Sequence, residues 1–311
     1  MKDLLSLKDV SKEFILDTIE KAIEIKQNPE KYATILKDKT LLMIFEKPSL
    51  RTRVSFEVGM TQLGGHAIYY DVSTSPLGKK ETIEDTARTS ERYVDIIMAR
   101  LNHFSDCKAL AENAKVPVID ALSDENHPCQ ILCDLQTIKE KFGKLQGLTL
   151  AYVGDCENNV TYSLLHGCAH LGINIKLGCP DDPELKPKQE IIDEAKAIAA
   201  RNTELSKVEV YHDAVEAVKD ADVVYTDSWM SYHIPEDRME ARKQKLLPYQ
   251  VNSALMQNAK PTAVFMNCLP AMRGLEQTAE VVDGPQSIVF DQAENRLHAQ
   301  KALMLKLLGK I

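Results

Sequence analysis

The stretch TLLMIFEKPSLRTRVSFEVGMTQL (residues 40–63) decides the fold of the N-terminal half of the chain. Its first six residues are an apolar, β-rich run that predicts a buried strand. Pro48 and Ser49 mark a turn, Ser49 is a favoured helix N-cap, and an apolar-periodic helix follows to Leu63. A buried strand, a tight turn and a helix in succession are typical of a parallel sheet covered by helices.

The same alternation recurs along the 311 residues in two blocks. Further β-rich runs of the first block lie at 66–70, 95–101 and 116–122, and those of the second lie at 148–155, 173–180, 208–213, 222–228 and 263–269. The polar segment 139–147, which contains two glycines, separates the blocks. We therefore predict an α/β protein of two domains, 1–140 and 141–311, each with a central parallel sheet flanked by helices.

Amphipathic patterns predict a first helix over 12–27 and a last helix over 292–308. We expect the last helix to return to the N-terminal domain. In parallel α/β sheets, ligands bind at the carboxyl ends of the strands. We therefore expect a small ligand in a cleft between the two domains.

Charge and composition narrow the functional classes. The chain has 38 basic and 46 acidic residues and a formal net charge of −8, which disfavours nucleic acid and anionic membranes as partners. No apolar run approaches the roughly 18 residues of a membrane span, and the start MKDLL is unlike a signal peptide. The seven cysteines include no C-x-x-C pair, so we expect reduced thiols and a cytoplasmic location.

One pair of histidines has the spacing of two metal ligands on a helix. His166 and His170 lie four residues apart, so both would face one side of a helix. The sequence has no H-E-x-x-H motif and no acidic third ligand nearby, and two histidines do not complete a zinc site. We therefore expect no metal here.

The turn at 48–53 carries the strongest functional signal. Arg51, Thr52 and Arg53 follow Ser49 at the predicted start of a helix. Free backbone N–H groups at a helix N-terminus bind anions, and guanidinium groups match phosphate oxygens. The alternative is an ordinary surface helix that begins with two arginines. A phosphate site is favoured, although it is not a Walker A loop because that glycine pattern is missing.

Polar residues also follow other predicted strands. His127 and Gln130 lie three residues apart at the start of a predicted helix in NHPCQILCDL (126–135). The imidazole and the amide can donate to a carbonyl oxygen of a ligand. The alternative is that the histidine only caps the helix. Asp227 and Cys268 are an acid and a thiol at two strand ends of the second block. Trp229 is expected to pack inside, and Arg273 to be a surface charge.

The turn VGDCENN (153–159) stands where a dinucleotide-binding protein has its glycine motif. Only Gly154 is present and an acid follows it, so the G-x-G-x-x-G pattern is absent and pyrophosphate binding is disfavoured. Asn158 and Asn159 at the start of the next helix can instead hydrogen-bond an amino acid.

Taken together, these features resemble the aspartate/ornithine carbamoyltransferase family over nearly the whole chain. The matching segments are SLRTR (49–53), HPCQ (127–130), YTDSWMSY (225–232), NCLPAMRG (267–274) and DQAENRLHAQ (291–300). The first is similar to the family's S-T-R-T-R motif, with Leu50 in place of threonine, and the second to H-P-x-Q. The third and fourth are similar to the D-x-W-x-S-M-G and H-C-L-P segments of the ornithine branch.

The resemblance implies that an amine attacks carbamoyl phosphate to give a ureido product and phosphate. With ornithine the product is citrulline, an intermediate of arginine biosynthesis, and no metal or organic cofactor is needed. The implied carbamoyl phosphate site comprises Ser49, Leu50, Arg51, Thr52, Arg53, Arg100, His127, Gln130, Cys268, Leu269 and Arg296. Within it, Arg100, His127 and Thr52 would polarise the carbonyl oxygen, which becomes an oxyanion in the tetrahedral state. Gln130 would bind the carbamoyl nitrogen.

For the acceptor, the resemblance implies a site of Asn159, Asp227, Ser231 and Tyr232. Asn159 and Ser231 would hold the α-amino and carboxylate end, whereas Asp227 and Cys268 would face the side-chain amine. That amine must lose a proton before it can attack, so an orienting acid and a thiol relay fit general-base chemistry. Arg100, His127, Asp227 and Cys268 are thus the implied catalytic residues.

Four positions depart from the ornithine pattern. Pro76 stands in the loop 73–82 where the family carries a glutamine from a neighbouring subunit, Tyr232 and His233 replace Met-Gly, and Asn267 replaces the histidine of H-C-L-P. Ornithine is favoured because the polar acceptor residues match, and buried polar partners discriminate amines. The alternatives are an N-acyl-ornithine, putrescine or lysine.

Other activities fit the sequence less well. Aspartate is disfavoured as the acceptor because its branch carries H-P-L-P, and a dehydrogenase should carry the missing glycine motif. A catalytically inactive homologue should have lost Arg51, Arg100 or His127. The family forms trimers, so we expect a homotrimer or a multiple of trimers.

Overall fold

A computed structural model describes residues 2–73, 81–202, 206–230 and 236–311. The chain divides into two compact units. Unit 1 comprises Met1–Glu140 and Glu294–Ile311, and unit 2 comprises Lys141–Ala293. Each unit is built around its own parallel sheet.

Unit 1 alternates strands and helices from its start. Its elements are α1 (Lys12–Gln27), β1 (Thr40–Phe45), α2 (Leu50–Gln62), β2 (His66–Asp71), α3 (Ile83–Ser90), β3 (Ile96–Arg100), α4 (Phe104–Asn113), β4 (Val118–Leu122) and α5 (Pro128–Phe142). The four strands are parallel in the order β2-β1-β3-β4. Phe45 pairs with Arg100 in this register, so the turns after β1 and β3 leave the same edge of the sheet side by side.

Unit 2 repeats this plan with five parallel strands. Its elements are β5 (Thr149–Val153), α6 (Asn159–Leu171), β6 (Asn174–Gly178), α7 (Gln189–Asn202), β7 (Val208–Tyr211), α8 (Ala214–Val218), β8 (Val223–Tyr225), α9 (Glu236–Leu246), α10 (Ser253–Met256), β9 (Val264–Met266) and α11 (Ala279–Val282). The order is β7-β6-β5-β8-β9. Because β5, β8 and β9 are neighbours, the turns that follow them lie at one edge.

The last helix, α12 (Val289–Leu307), starts three residues before the predicted position. From Glu294 onward it belongs to unit 1, where the ammonium of Lys301 donates to Gln62 of α2 at 2.9 Å. The predicted return of the C-terminal helix is confirmed. The predicted fold class, two α/β units with parallel sheets flanked by helices, is confirmed as well.

Both sheets are covered as the apolar strand patterns predict. β3 is buried along its length up to Arg100, and α6 is buried on all sides. His166 and His170 on α6 contact α7, where they meet Glu194 at 3.0 Å and Asn202 at 3.1 Å. These contacts give both histidines a packing role.

None of the helices in the described part of the chain is both long and apolar enough to cross a membrane.

Gly154 ends β5 with φ of +126°, a conformation that side chains with a Cβ rarely adopt. A Cβ at this position would lie 2.7 Å from Nε1 of the buried Trp229. The turn after β5 therefore depends on glycine both for its backbone angle and for the space that the indole occupies.

We predict that Gly154→Ala lowers the free energy of unfolding of unit 2 by about 3 kcal/mol, from backbone strain and steric overlap together. Gly147→Ala is the matched control, because its φ is +80° but nothing lies within 4 Å of the added carbon. It should cost about 1–2 kcal/mol. Urea unfolding monitored by Trp229 fluorescence measures the free energy of unfolding of both variants. Equal losses of stability would contradict the steric contribution at Gly154.

Candidate active site

The turn between β1 and α2 in unit 1 is organised by Ser49. Its hydroxyl oxygen accepts a hydrogen bond from the backbone N–H of Thr52 at 3.3 Å, so Ser49 caps α2 as predicted. The same hydroxyl lies 3.2 Å from the hydroxyl of Thr52, which is fully buried. The cap therefore fixes the Thr52 side chain at the amino end of the helix, where free N–H groups favour an anion.

Two guanidinium groups converge on the hydroxyl of Thr52. Arg100, the last residue of β3, donates from Nη1 at 3.4 Å, and Arg296 of α12 donates from Nη2 at 3.2 Å. These residues are far apart in the sequence, and the sheet register and the returning helix bring them together. The result is a cluster of positive charge beside the start of α2.

Arg296 is 3% exposed and is held by neutral oxygens. Its Nη1 donates to Oε1 of Gln130 at 2.8 Å, and the side-chain oxygen of Gln300, when turned toward it, accepts from Nη2 and Nε at 3.0 and 3.1 Å. Within the described residues, no carboxylate forms an ion pair with Arg296. A buried cation without an acid is costly, so this arrangement favours an anionic ligand.

His127 lies immediately before α5 and is 5% exposed. Burial, followed by the nearby charges of Arg296, Arg100 and Arg51, holds the pKa of its imidazole well below the ordinary value of 6.5. The ring is therefore neutral at neutral pH, so it has one N–H donor and one acceptor nitrogen. A neutral ring among cations can polarise a carbonyl oxygen without adding charge to the site.

Not every residue of the predicted phosphate motif points to this cluster. Arg53 stacks on the ring of Tyr69 at 3.9 Å and pairs with Glu57 at 3.2 Å. Leu50 is 77% exposed. Arg51 is half-buried, and its charge reaches His127. The binding roles of these three residues stay predictions.

Lys47 is a residue that the motif analysis did not select. It lies two residues before Ser49 in the same turn and is half-buried. Burial first, and then the charge of Arg100, lowers the pKa of its ammonium. The only signal for Lys47 in the sequence is its position in the turn. A lysine in a loop is usually a solvated charge, so its residue type does not mark it as functional.

In unit 2, the turns after β8 and β9 bring together the predicted acid and thiol. The Sγ of Cys268 donates to Oδ1 of Asp227 at 2.9 Å, and both residues are partly exposed. The other six cysteines are buried. The two groups implied for the amine therefore form a pair that a ligand can reach, although their catalytic roles stay predictions.

Asn267, which departs from the family pattern, is buried and shapes the turn that carries Cys268. Its Oδ1 accepts from the backbone N–H of Leu269 at 2.7 Å, and its Nδ2 donates to Oε1 of Gln277 at 3.0 Å. Leu269 has φ of +58°, an unusual angle for a residue with a large side chain. Asn267 thus stabilises a strained backbone next to the predicted reaction centre, which is where such strain is common.

Asn159 is the first residue of α6, and the preceding Asn158 caps the helix by accepting from the N–H of Thr161 at 2.9 Å. The predicted acceptor residues Ser231 and Tyr232 lie outside the described residues, as do Pro76 and His233. Trp229 is fully buried, as predicted, and Arg273 forms an exposed ion pair with Asp283 at 2.7 Å.

No cluster of three or more histidine, cysteine or acidic side chains suited to a metal ion occurs in the described ranges of the chain.

Two family models match nearly the whole sequence. The carbamoyl-P binding domain of aspartate/ornithine carbamoyltransferase matches residues 2–140, and the Asp/Orn binding domain matches residues 146–307. The chain belongs to the aspartate/ornithine carbamoyltransferase family. The resemblance inferred from the five sequence motifs is therefore confirmed.

Individual members of the family are similar over their full length. An ornithine carbamoyltransferase of Methanothermobacter thermautotrophicus is 51% identical over 100% of both chains, and one of Thermococcus kodakarensis is 49% identical over 100% of this chain and 97% of its own. The solved ornithine carbamoyltransferase of Pyrococcus furiosus superposes with a TM-score of 0.94 at 47% identity, covering 100% of this chain and 98% of its own.

We predict that the neutral His127 makes the folded protein less stable as the pH falls below 6.5, the ordinary histidine pKa. The unfolded chain then takes up a proton that the folded state does not, a loss of up to about 1.4 kcal/mol per pH unit. The free energy of unfolding of wild type and His127→Gln, measured in urea at pH 7 and pH 5, isolates this contribution. An identical pH dependence in both proteins would contradict a neutral His127.

Proposed function

We propose that the chain transfers the carbamoyl group of carbamoyl phosphate to the side-chain amine of L-ornithine, giving L-citrulline and phosphate. The observation that carries this proposal is the match to curated ornithine carbamoyltransferases at about half identity over the whole chain. The chemistry of the two units agrees with it. Unit 1 supplies buried cations for a phosphate dianion, and unit 2 supplies an acid and a thiol for an amine.

In unit 1, the residues around Thr52 would bind carbamoyl phosphate. Arg51, the N–H groups of α2 and the Ser49 cap would neutralise the phosphate. Arg100, the Thr52 hydroxyl and the neutral His127 ring would donate to the carbonyl oxygen, whose negative charge grows as the tetrahedral state forms. Gln130 accepts from Arg296 through Oε1, and since a carbonyl oxygen has two lone pairs, it can also accept from the carbamoyl nitrogen.

In unit 2, the residues around Asp227 would bind ornithine. Asn159 and Ser231 would hold the α-amino and carboxylate groups, with Tyr232 beside them. The Asp227 carboxylate would orient the side-chain ammonium, and the Cys268 thiol beside it would relay the proton that must leave before attack. The carbonyl of Leu269, in its strained turn, and Cys268 would line the position of the carbamoyl group.

The other acceptors are less well supported. The curated relatives compared above are named ornithine carbamoyltransferases and none is named for an acylated ornithine, putrescine or lysine. A relative from Pyrococcus furiosus is named anabolic, which supports the biosynthetic direction. The seven cysteines include no C-x-x-C pair, which supports reduced thiols and a cytoplasmic location, because disulfides are rare there.

The acceptor prediction is tested by supplying carbamoyl phosphate with ornithine, N-acetylornithine, N-succinylornithine, putrescine, lysine or aspartate. We expect phosphate release to be fastest with ornithine. Preference for another amine would overturn the acceptor but keep the reaction class. Asp227→Asn should reduce kcat/KM for ornithine by roughly 10²–10⁴-fold, whereas Asp283→Asn, at an exposed acid of the same unit, should change it by less than about twofold.

We further propose a homotrimer, or a multiple of trimers, in which the loop 73–82 of one subunit completes the site of its neighbour. The support is the resemblance to the family, and the described residues include only the two ends of this loop. Inactive Arg51→Ala and Lys79→Ala proteins, mixed under conditions of subunit exchange, should regain part of the wild-type activity. Failure to regain activity, when exchange is verified by mass spectrometry, would argue for sites built within one subunit.

A further inference from the structure

Arg242 is an unusual residue on an otherwise polar helix of unit 2. Most side chains of α9 are exposed, but that of Arg242 is only 14% exposed. Its Nε donates to the backbone oxygen of Trp229 at 2.9 Å, and its Nη2 forms an ion pair with Oδ2 of Asp155. One guanidinium group therefore joins two separate turns.

The first turn follows β8 and carries Asp227. Trp229 lies two residues beyond Asp227, is fully buried, and receives Arg242 on its main-chain oxygen. The indole itself packs against the backbone of Gly154 in the neighbouring turn. The guanidinium thus holds the backbone on the carboxyl side of Asp227 at a fixed place.

The second turn follows β5 and leads to Asn159. Asp155 is 2% exposed, and its Oδ1 accepts from the N–H of Glu157 at 3.0 Å. Its main-chain oxygen accepts from Nδ2 of Asn158 at 2.6 Å, and Oδ1 of Asn158 caps α6. Asp155 therefore organises the turn that places Asn159, and Arg242 holds Asp155.

We propose that Arg242 is a positioning residue for the amino acid acceptor, because it clamps the turn that carries Asp227 to the turn that carries Asn159. This inference rests on the proposed acceptor roles of those two residues. Ornithine has one amine for each turn, at the two ends of the molecule. The distance between the turns then decides whether both ends bind at once, and small misplacements are costly in such sites.

The electrostatics of the pair support the clamp. Burial raises the pKa of the Asp155 carboxyl to about 7, although the charge of Arg242 opposes this shift. The guanidinium lowers the pKa of Asp155 from the still higher value that burial alone would give, so it favours the charged form of its own partner. The guanidinium donates from Nε and Nη2 in a fixed fork, and the shorter amide of glutamine cannot reproduce that geometry.

The test compares Arg242→Gln with Arg238→Gln. Arg238 lies one turn earlier on α9, and its only ion pair in the described part of the chain is an exposed one with Glu184 at 3.6 Å. We expect Arg242→Gln to raise KM for ornithine roughly tenfold and to leave KM for carbamoyl phosphate within about twofold of wild type. Arg238→Gln should leave both unchanged. Equal increases in both KM values, or a loss of thermal stability alone, would overturn the proposal.

A double-mutant cycle separates the clamp from general damage. If Arg242 acts through Asp155, Asp155→Asn and the double variant should raise KM for ornithine about as much as Arg242→Gln does, because the three share one interaction. Multiplicative effects of the two substitutions would overturn the proposal. Arg242→Lys, which keeps the charge but not the fork, should lie between wild type and Arg242→Gln.

Trp229 provides a readout that does not depend on activity. It is the only tryptophan of the chain, it is fully buried, and its own carbonyl is a partner of Arg242. Arg242→Gln should shift its emission to the red and increase quenching by acrylamide, while Arg238→Gln should not. If the emission of Arg242→Gln is unchanged, the clamp is wrong for any substrate. If the emission shifts but the wild-type protein is inactive with ornithine, only the proposed function is overturned.

Discussion

The described site depends on positive charge that is buried beside neutral partners. Arg296 is almost fully enclosed, and its guanidinium contacts the oxygens of Thr52, Gln130 and Gln300 rather than a carboxylate. Arg100 reaches the same hydroxyl from the end of a strand. Hydrogen bonds to neutral oxygens satisfy the N–H donors of these guanidinium groups but do not neutralise their charge. A dianionic ligand can neutralise it. The proposed affinity for carbamoyl phosphate follows from this constraint, and the same cations add to the effect of burial that keeps His127 neutral.

The candidate site of unit 2 is built from different groups. Its polar groups are an acid beside a thiol, set on turns whose backbones are held by side chains from elsewhere in the unit. Asn267 fixes the strained Leu269, and Arg242 joins the turns after β5 and β8. An amine acceptor has to be bound, oriented and deprotonated. The exact positions of the Asp227 carboxylate and the Cys268 thiol are therefore more important here than the total charge.

Much of the fold could be predicted from local patterns. The helix over 12–27 has the predicted bounds, and the strand 40–45 is found where its apolar run indicated. Ser49 caps α2 because its hydroxyl accepts from an N–H three residues later, and Pro128 begins α5 because proline has no N–H to leave unsatisfied. The site was less predictable from residues alone. Spacing selected Arg51, His127, Asp227 and Cys268, but Lys47, Gln300 and Arg242 have no local pattern that distinguishes them from solvated polar residues.

The sequence by itself determined the family, the order of strands and helices, and the chemistry available at each strand end, since these depend on neighbouring residues and on motifs that can be read in a line. Only the tertiary structure decided which polar groups meet. Thr52, Arg100 and Arg296 are separated by dozens to hundreds of positions, and the parallel register with the returning last helix brings them within hydrogen-bond distance. Likewise, the adjacency of β5, β8 and β9 lets one arginine bind two turns. Such contacts depend on how the sheets are ordered, and no local pattern of residues specifies that order.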